Sequence, residues 1–146
     1  MAYIDVIEPA DAEGKLKVIY DDLLEKRGKI AEVHKIHSLN PESMINHMDL
    51  YMTLMFGNSP LKRVLREMIA VVVSRANNCG YCQTHHGAAV QHYWKDAERV
   101  EQLKKDYRTL KMNDIERTLC DMAWQLTKDP SEDTKASFIE PLQKLG

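Results

Sequence analysis

The stretch from Leu61 to about Asn77 constrains this chain more than any other part. It is the most apolar piece of the sequence and includes the consecutive valines Val71, Val72 and Val73. Those valines alone would suit a buried strand, but the run that contains them is too long for one, so it reads as a helix that is apolar nearly all round. One residue breaks the pattern. Glu67 sits among Val64, Met68 and Val71 on one face of that helix, where a carboxylate must be paired, hydrogen-bonded, or raised in pKa so that it carries a proton. Arg63 and Arg66 are candidates to pair with it and make it structural.

The rest of the chain reads as helices separated by short breaks. The first opens after Pro9 with Asp11 as its cap and places Leu16, Ile19, Tyr20, Leu23 and Leu24 at i, i+3, i+4, i+7, i+8. It ends near Gly28. A second has Asn40 as N-cap, Pro41 at the first helical position and Ser43 to Phe56 following. Gly57-Asn58-Ser59-Pro60 is a stop and restart. After a break at Asn77-Asn78, helices are expected from around Cys79 to Trp94, from Asp96 to Lys105 and from Asn113 to Thr127. Asp129-Pro130-Ser131 ends the latter, and a last helix covers roughly Glu132 to Leu145. With 146 residues, 44% hydrophobic and only 6 Gly and 5 Pro, the expectation is one all-α domain over residues 1–146 with a core of its own.

Charge and patterning exclude several function classes. A formal charge of -2 leaves no electrostatic footprint for nucleic acid. No apolar stretch reaches the length of a bilayer span, since Ile69 to Ser74 is soon broken by Arg75 and Asn77. The opening Met1-Ala2-Tyr3-Ile4-Asp5 lacks the charged start and apolar run of a signal peptide. The expected location is therefore the cytoplasm, with no membrane and no nucleic-acid partner. Three cysteines make a poor secreted disulfide framework. In a reducing compartment a close pair reads as redox chemistry or metal binding.

That pair is Cys79-Gly80-Tyr81-Cys82. On a helix, this spacing sets the two sulfurs one turn apart on one face. At a helix N-terminus, free N–H groups and the positive end of the dipole favour the thiolate, the form that attacks a peroxide or a disulfide. The partner cysteine can then resolve a sulfenic acid into a disulfide. His86 follows Cys82 by four residues and shares its face, where a neutral imidazole can take the thiol proton. His85 points about 100° away from His86, so at most one of them serves the same sulfur directly. A buried carboxyl such as Glu67 near the pair is a candidate proton shuttle.

Plainer readings stand beside these. Zinc would take Cys79, Cys82 and His85 or His86, but it needs a fourth ligand, and Cys120 lies far away in a helical stretch. Cys120 reads as a buried core thiol. His34, His37 and His47 read as surface or satisfied interior histidines. Met44, Met48, Met52 and Met55 keep helical spacing and read as core or subunit interface.

The run Arg66-Glu67-Met68-Ile69-Ala70 through Ser74, with Cys79-Gly80-Tyr81-Cys82 and His85-His86-Gly87, resembles the alkylhydroperoxidase D-like family, which is grouped with the carboxymuconolactone decarboxylases. Glu67, Cys79, Cys82 and His86 match that family's motif spacing. The double histidine followed by glycine looks most like its peroxidase-related branch, as does Leu126-Thr127-Lys128-Asp129-Pro130. The resemblance implies an all-helical fold assembling as dimers, trimers or hexamers. It implies reduction of a hydroperoxide by the cysteine pair, with no cofactor beyond the redox-active Cys79–Cys82 disulfide and no metal. A dithiol or lipoyl-type reductant would recycle that disulfide. By position, Cys82 would be the peroxidatic thiol, Cys79 the resolving one, and His86 with Glu67 the proton relay. One residue departs from the best-studied branch, which has a histidine where this chain has Tyr81. A phenol with an ordinary pKa near 10 cannot replace imidazole as a base at neutral pH. Either His85 compensates, with His85 and Tyr81 as auxiliary residues, or the relay is shorter and turnover slower. The alternatives are a decarboxylase of the carboxymuconolactone type and a non-enzymatic zinc-binding or redox-sensing domain.

Overall fold

A computed structural model describes residues 3–130 and 135–145, and among them the regular structure is entirely helical. Contacts divide the chain into two compact units, with the boundary along the chain between Asn58 and Ser59.

In the first unit, a single 3-10 turn at Pro9–Asp11 precedes α1 (Gly14–Arg27), α2 (Glu32–Lys35) and α3 (Pro41–Phe56). Asp11, expected as the cap of the first helix, lies instead inside the turn. Ala12 and Glu13 are extended between turn and helix, and Ala12 is buried in the core. α1 stops where the sequence suggested. Gly28 takes φ 70°, a left-handed conformation that costs glycine little, and its N–H donates to the Leu24 carbonyl at 2.8 Å. The short α2 leaves no signal in the sequence, because four residues carry no period. The Asn40 cap is real: its side-chain oxygen accepts the Ser43 N–H at 3.4 Å, with Pro41 opening α3. Leu16, Tyr20 and Leu23 of α1 pack with Met44 of α3. The methionine stripe is core only at its start, since Met44 is buried and Met48 lies against the cluster while Met52 is exposed.

The second unit holds α4 (Arg63–Ala76), α5 (Gly80–Trp94), α6 (Ala97–Asp106), α7 (Asp114–Lys128), a π-helical turn at Lys135–Ile139 and α8 (Glu140–Leu145). α4 is the apolar stretch recognised above, and it packs against α5, α6 and α7. Its Met68, Val71 and Val72 are buried among Val90, Leu103 and Cys120, each such side chain contributing about 1.5–3 kcal/mol of transfer free energy. Asp96 caps α6 by accepting the Arg99 N–H at 3.0 Å. Asn113 caps α7 by accepting the Glu116 N–H at 2.8 Å, and the Glu116 side chain returns the bond to the Asn113 N–H at 3.2 Å. Both helices begin within a residue of the starts expected at Asp96 and Asn113. The expected stop at Ser131 and the expected helix start at Glu132 lie outside the described residues. No helix among the described residues is long and apolar enough to cross a membrane.

Within the first unit, His34 is buried and its Nδ1 accepts the Ala31 N–H at 3.2 Å. Burial, reinforced by the charges of Arg27, His47 and His37, pushes its pKa from the ordinary 6.5 down to about 4. The unfolded chain then binds a proton that the folded unit refuses. Stability should therefore fall as the pH drops from about 6.5 towards 4 and level off below. Chemical unfolding followed across that range should show this loss, and His34→Gln should remove that part of it. An unchanged pH dependence in the variant would mean that other groups are responsible.

Candidate active site

The turn between α4 and α5 explains how the two helices deliver their polar residues to one place. Asn77 ends α4, and Asn78 reverses the chain with φ 55°, a left-handed conformation that asparagine tolerates better than most residues. The Cys79 N–H donates to the Ser74 carbonyl at 2.9 Å, closing the turn. α5 therefore starts one residue later and folds back along α4.

Cys79 is the N-cap of α5. Its Sγ accepts the Cys82 N–H at 3.2 Å, so a free helix donor points at this sulfur. Cys79 and Cys82 are joined as a disulfide, with their Cα atoms 5.4 Å apart, inside the usual range for that bond. Both residues are half-buried. A cap that is also one half of a disulfide is chemically informative. On reduction, the same N–H that now faces a neutral sulfur would stabilise a thiolate.

Glu67 and His86 meet across the hairpin, with His86 Nδ1 2.7 Å from Glu67 Oε2. The Glu67 side chain is only 1% exposed. Its other oxygen, Oε1, accepts hydrogen bonds from Arg63 Nε at 2.7 Å and from Arg63 Nη2. Burial alone would raise the Glu67 pKa, but the hydrogen bonds from His86 and Arg63 outweigh it and hold the carboxyl below its ordinary value. Of the states the sequence left open, Glu67 is thus paired and ionised rather than protonated. The pairing cation is Arg63, at i−4 from Glu67, whereas Arg66 sends its Nε to the Leu61 carbonyl at 2.8 Å.

His86 lies one turn beyond Cys82 on α5 and is held by Glu67 at Nδ1, which leaves Nε2 as its basic nitrogen when the ring is neutral. The neighbouring Gly87 is buried, and a Cβ there would come within 3.1 Å of the Lys104 side chain. The absence of a side chain lets Lys104 of α6 approach α5 closely at Gly87. On the exposed side of the same turn, the rings of Tyr81 and His85 meet edge to face with centroids 4.3 Å apart. The two histidines thus have different surroundings, as their angular separation implied. Among the described residues, no group of three or more His, Cys, Asp and Glu side chains is placed to hold a metal ion. Cys120 is buried in the core far from this turn in sequence, and burial pushes its thiol up to about 12.

One helical hairpin thus carries a disulfide that caps a helix and a buried carboxylate hydrogen-bonded to an imidazole. The family model of the carboxymuconolactone decarboxylases matches residues 41–103. The fold is similar to the crystal structure of an uncharacterized peroxidase-related protein from Silicibacter sp. TM1040, with a TM-score of 0.80 and 35% identity, covering 89% of this chain and 68% of that one. It is also similar to an uncharacterized peroxidase-related protein from Ralstonia eutropha JMP134, described as an alkylhydroperoxidase AhpD core. There the TM-score is 0.82 and the identity 26%, covering 98% of this chain and 75% of that one. No curated protein matches. The chain belongs to the carboxymuconolactone decarboxylase family, in its AhpD-like, peroxidase-related part.

The environments of the three cysteines differ enough to be measured. After reduction, iodoacetamide should modify Cys79 and Cys82 in the native protein and reach Cys120 only after denaturation, as read by peptide mass spectrometry. Modification of native Cys120 at a comparable rate would contradict its burial.

Proposed function

We propose that this protein is a thiol-dependent hydroperoxide reductase with Cys82 as the attacking thiol and Cys79 as the resolving one. The observation that carries the reading is the coincidence, on one helical hairpin, of a disulfide at a helix N-terminus with the hydrogen-bonded Glu67–His86 pair one turn away. A thiol pair alone would serve many ends. A thiol pair with an adjacent oriented base suits a reaction that must remove one proton and return another.

In the reduced enzyme, His86 accepts the Cys82 thiol proton at Nε2, and the thiolate attacks one oxygen of the hydroperoxide. The O–O bond breaks, Cys82 becomes a sulfenic acid, and the departing alkoxide takes the proton from His86 to leave as an alcohol. Cys79, losing its own proton, then attacks the Cys82 sulfur and expels hydroxide, which leaves as water. The product is the Cys79–Cys82 disulfide. A dithiol reductant, such as a dihydrolipoyl group that is itself oxidised to the cyclic disulfide, supplies two electrons and two protons by exchange through a mixed disulfide. Glu67 orients His86 and offsets its positive charge while it holds the proton. Tyr81 and His85 flank the disulfide on the exposed side, where an incoming reductant would meet them. Dependence on a dithiol supply suits a cytoplasmic, antioxidant role, and a homo-oligomer is the assembly expected of such a protein.

A decarboxylase acting without its thiols is the competing reading, since the family carries that name. The disulfide at the centre of the site favours redox chemistry over it. Stepwise addition of a small organic hydroperoxide to the reduced protein should consume two thiols per chain and leave Cys120 free. Cys82→Ser should lose peroxide consumption, while Cys79→Ser should stop at a trapped sulfenic acid. Peroxide consumption by Cys82→Ser at the wild-type rate would sink the proposal.

A further inference from the structure

Each oxygen of Glu67 has its own partner from a different helix. Oε1 is held from within α4 by Arg63, and Oε2 meets His86 of α5. A hydrogen bond between a carboxyl group and an imidazole Nδ1 has two forms. An ionised carboxylate accepts from Nδ1–H, and Nε2 is then the basic nitrogen of the ring. A neutral carboxylic acid donates to a bare Nδ1, and Nε2 then carries the ring proton. Only the first form provides a base on the side of the ring away from Glu67. Burial pulls a carboxyl towards the neutral form, and Glu67 is buried. The first form therefore depends on a cation at Oε1.

We infer that Arg63 is a positioning residue which, by gripping Oε1 of Glu67, keeps that carboxylate ionised and fixes His86 as the Nδ1–H tautomer. Arg63 sits one helical turn before Glu67, and its side chain is 18% exposed, so the guanidinium stays partly hydrated while its Nε and Nη2 reach the buried oxygen. It acts on the thiols through Glu67 and His86. The inference deepens the proposed function, because a fixed tautomer matters most if His86 is the base for Cys82. Its direct readout is the state of the ring, which exists whether or not the protein reduces peroxides.

The test is nitrogen-15 NMR of the imidazole rings in the full, reduced chain in mildly alkaline solution, with His86 assigned from the signal missing in His86→Asn. Wild-type protein is expected to show the Nδ1–H tautomer. Arg63→Gln should convert His86 mainly to Nε2–H and slow iodoacetamide alkylation of Cys82 by about a hundredfold, the lower end of what a lost general base costs. Arg63→Lys, which restores a cation, should bring back Nδ1–H. A folded Arg63→Gln that keeps Nδ1–H would overturn the inference. So would an Nε2–H tautomer in wild type, a result that needs no variant to fold. Should Arg63→Gln fail to fold, Nε2–H in Arg63→Lys would equally overturn it. A tautomer that switches as expected in a protein that consumes no peroxide would remove the proposed function and leave the role of Arg63 standing. Peroxide consumption with an unmoved tautomer would do the reverse.

Discussion

A carboxylate inside an apolar helix bundle has to be satisfied by protein groups, and at Glu67 this requirement ties two helices to one another. Its two oxygens take their donors from different places, Arg63 on the same helix and His86 on the next. A buried ion pair of this kind is weak evidence of net stability, because desolvation consumes much of the Coulombic gain. Its value lies in specification. With the carboxylate in place, α5 has one register against α4 in which His86 reaches Oε2 at 2.7 Å. The surrounding contacts of Met68, Val71 and Val72 supply the apolar burial that holds the pair of helices together.

The disulfide follows from the same hairpin. The turn at Asn77 and Asn78 is short, so the residue that caps α5 is fixed as soon as α4 ends. That residue is Cys79, whose Sγ takes the Cys82 N–H and whose partner sulfur stands one turn before His86. The helix dipole and the cap donor at Cys79 favour negative charge on a sulfur at this helix start, while the buried Cys120 has neither and is pushed towards the neutral thiol. One chain thus carries both kinds of cysteine, separated by environment rather than by residue type.

Much of this was legible in the sequence because the informative residues violate a local pattern. Glu67 stood out as a charge on an apolar face, Asn40 announced a helix start as its cap, and the segments expected from Asp96 and Asn113 begin there, with those two residues as their caps. Spacing separated His86 from His85, and it also favours Arg63 over Arg66 as the partner of Glu67, since adjacent residues diverge by about 100° around a helix. Other features had no local signal. α2 is shorter than any usable period. Asp11 has the chemistry of a cap, yet burial of Ala12 sets the helix start. Met52 continues a methionine stripe, but the core of the first unit does not extend that far. The ionisation state of Glu67 depends on balancing burial against partners from two helices, a balance that only the assembled hairpin defines.

The central claim is that the Glu67–His86 pair serves the thiols, rather than merely fastening α4 to α5. The most direct measurement is the rate at which hydroperoxide oxidises reduced Cys82 in His86→Asn compared with wild type, at neutral pH and with folding checked for both. Loss of an oriented base predicts a rate lower by about a hundredfold or more. A folded His86→Asn protein oxidised as fast as wild type would contradict the account, leaving the pair as a structural tie and the thiols to react unaided.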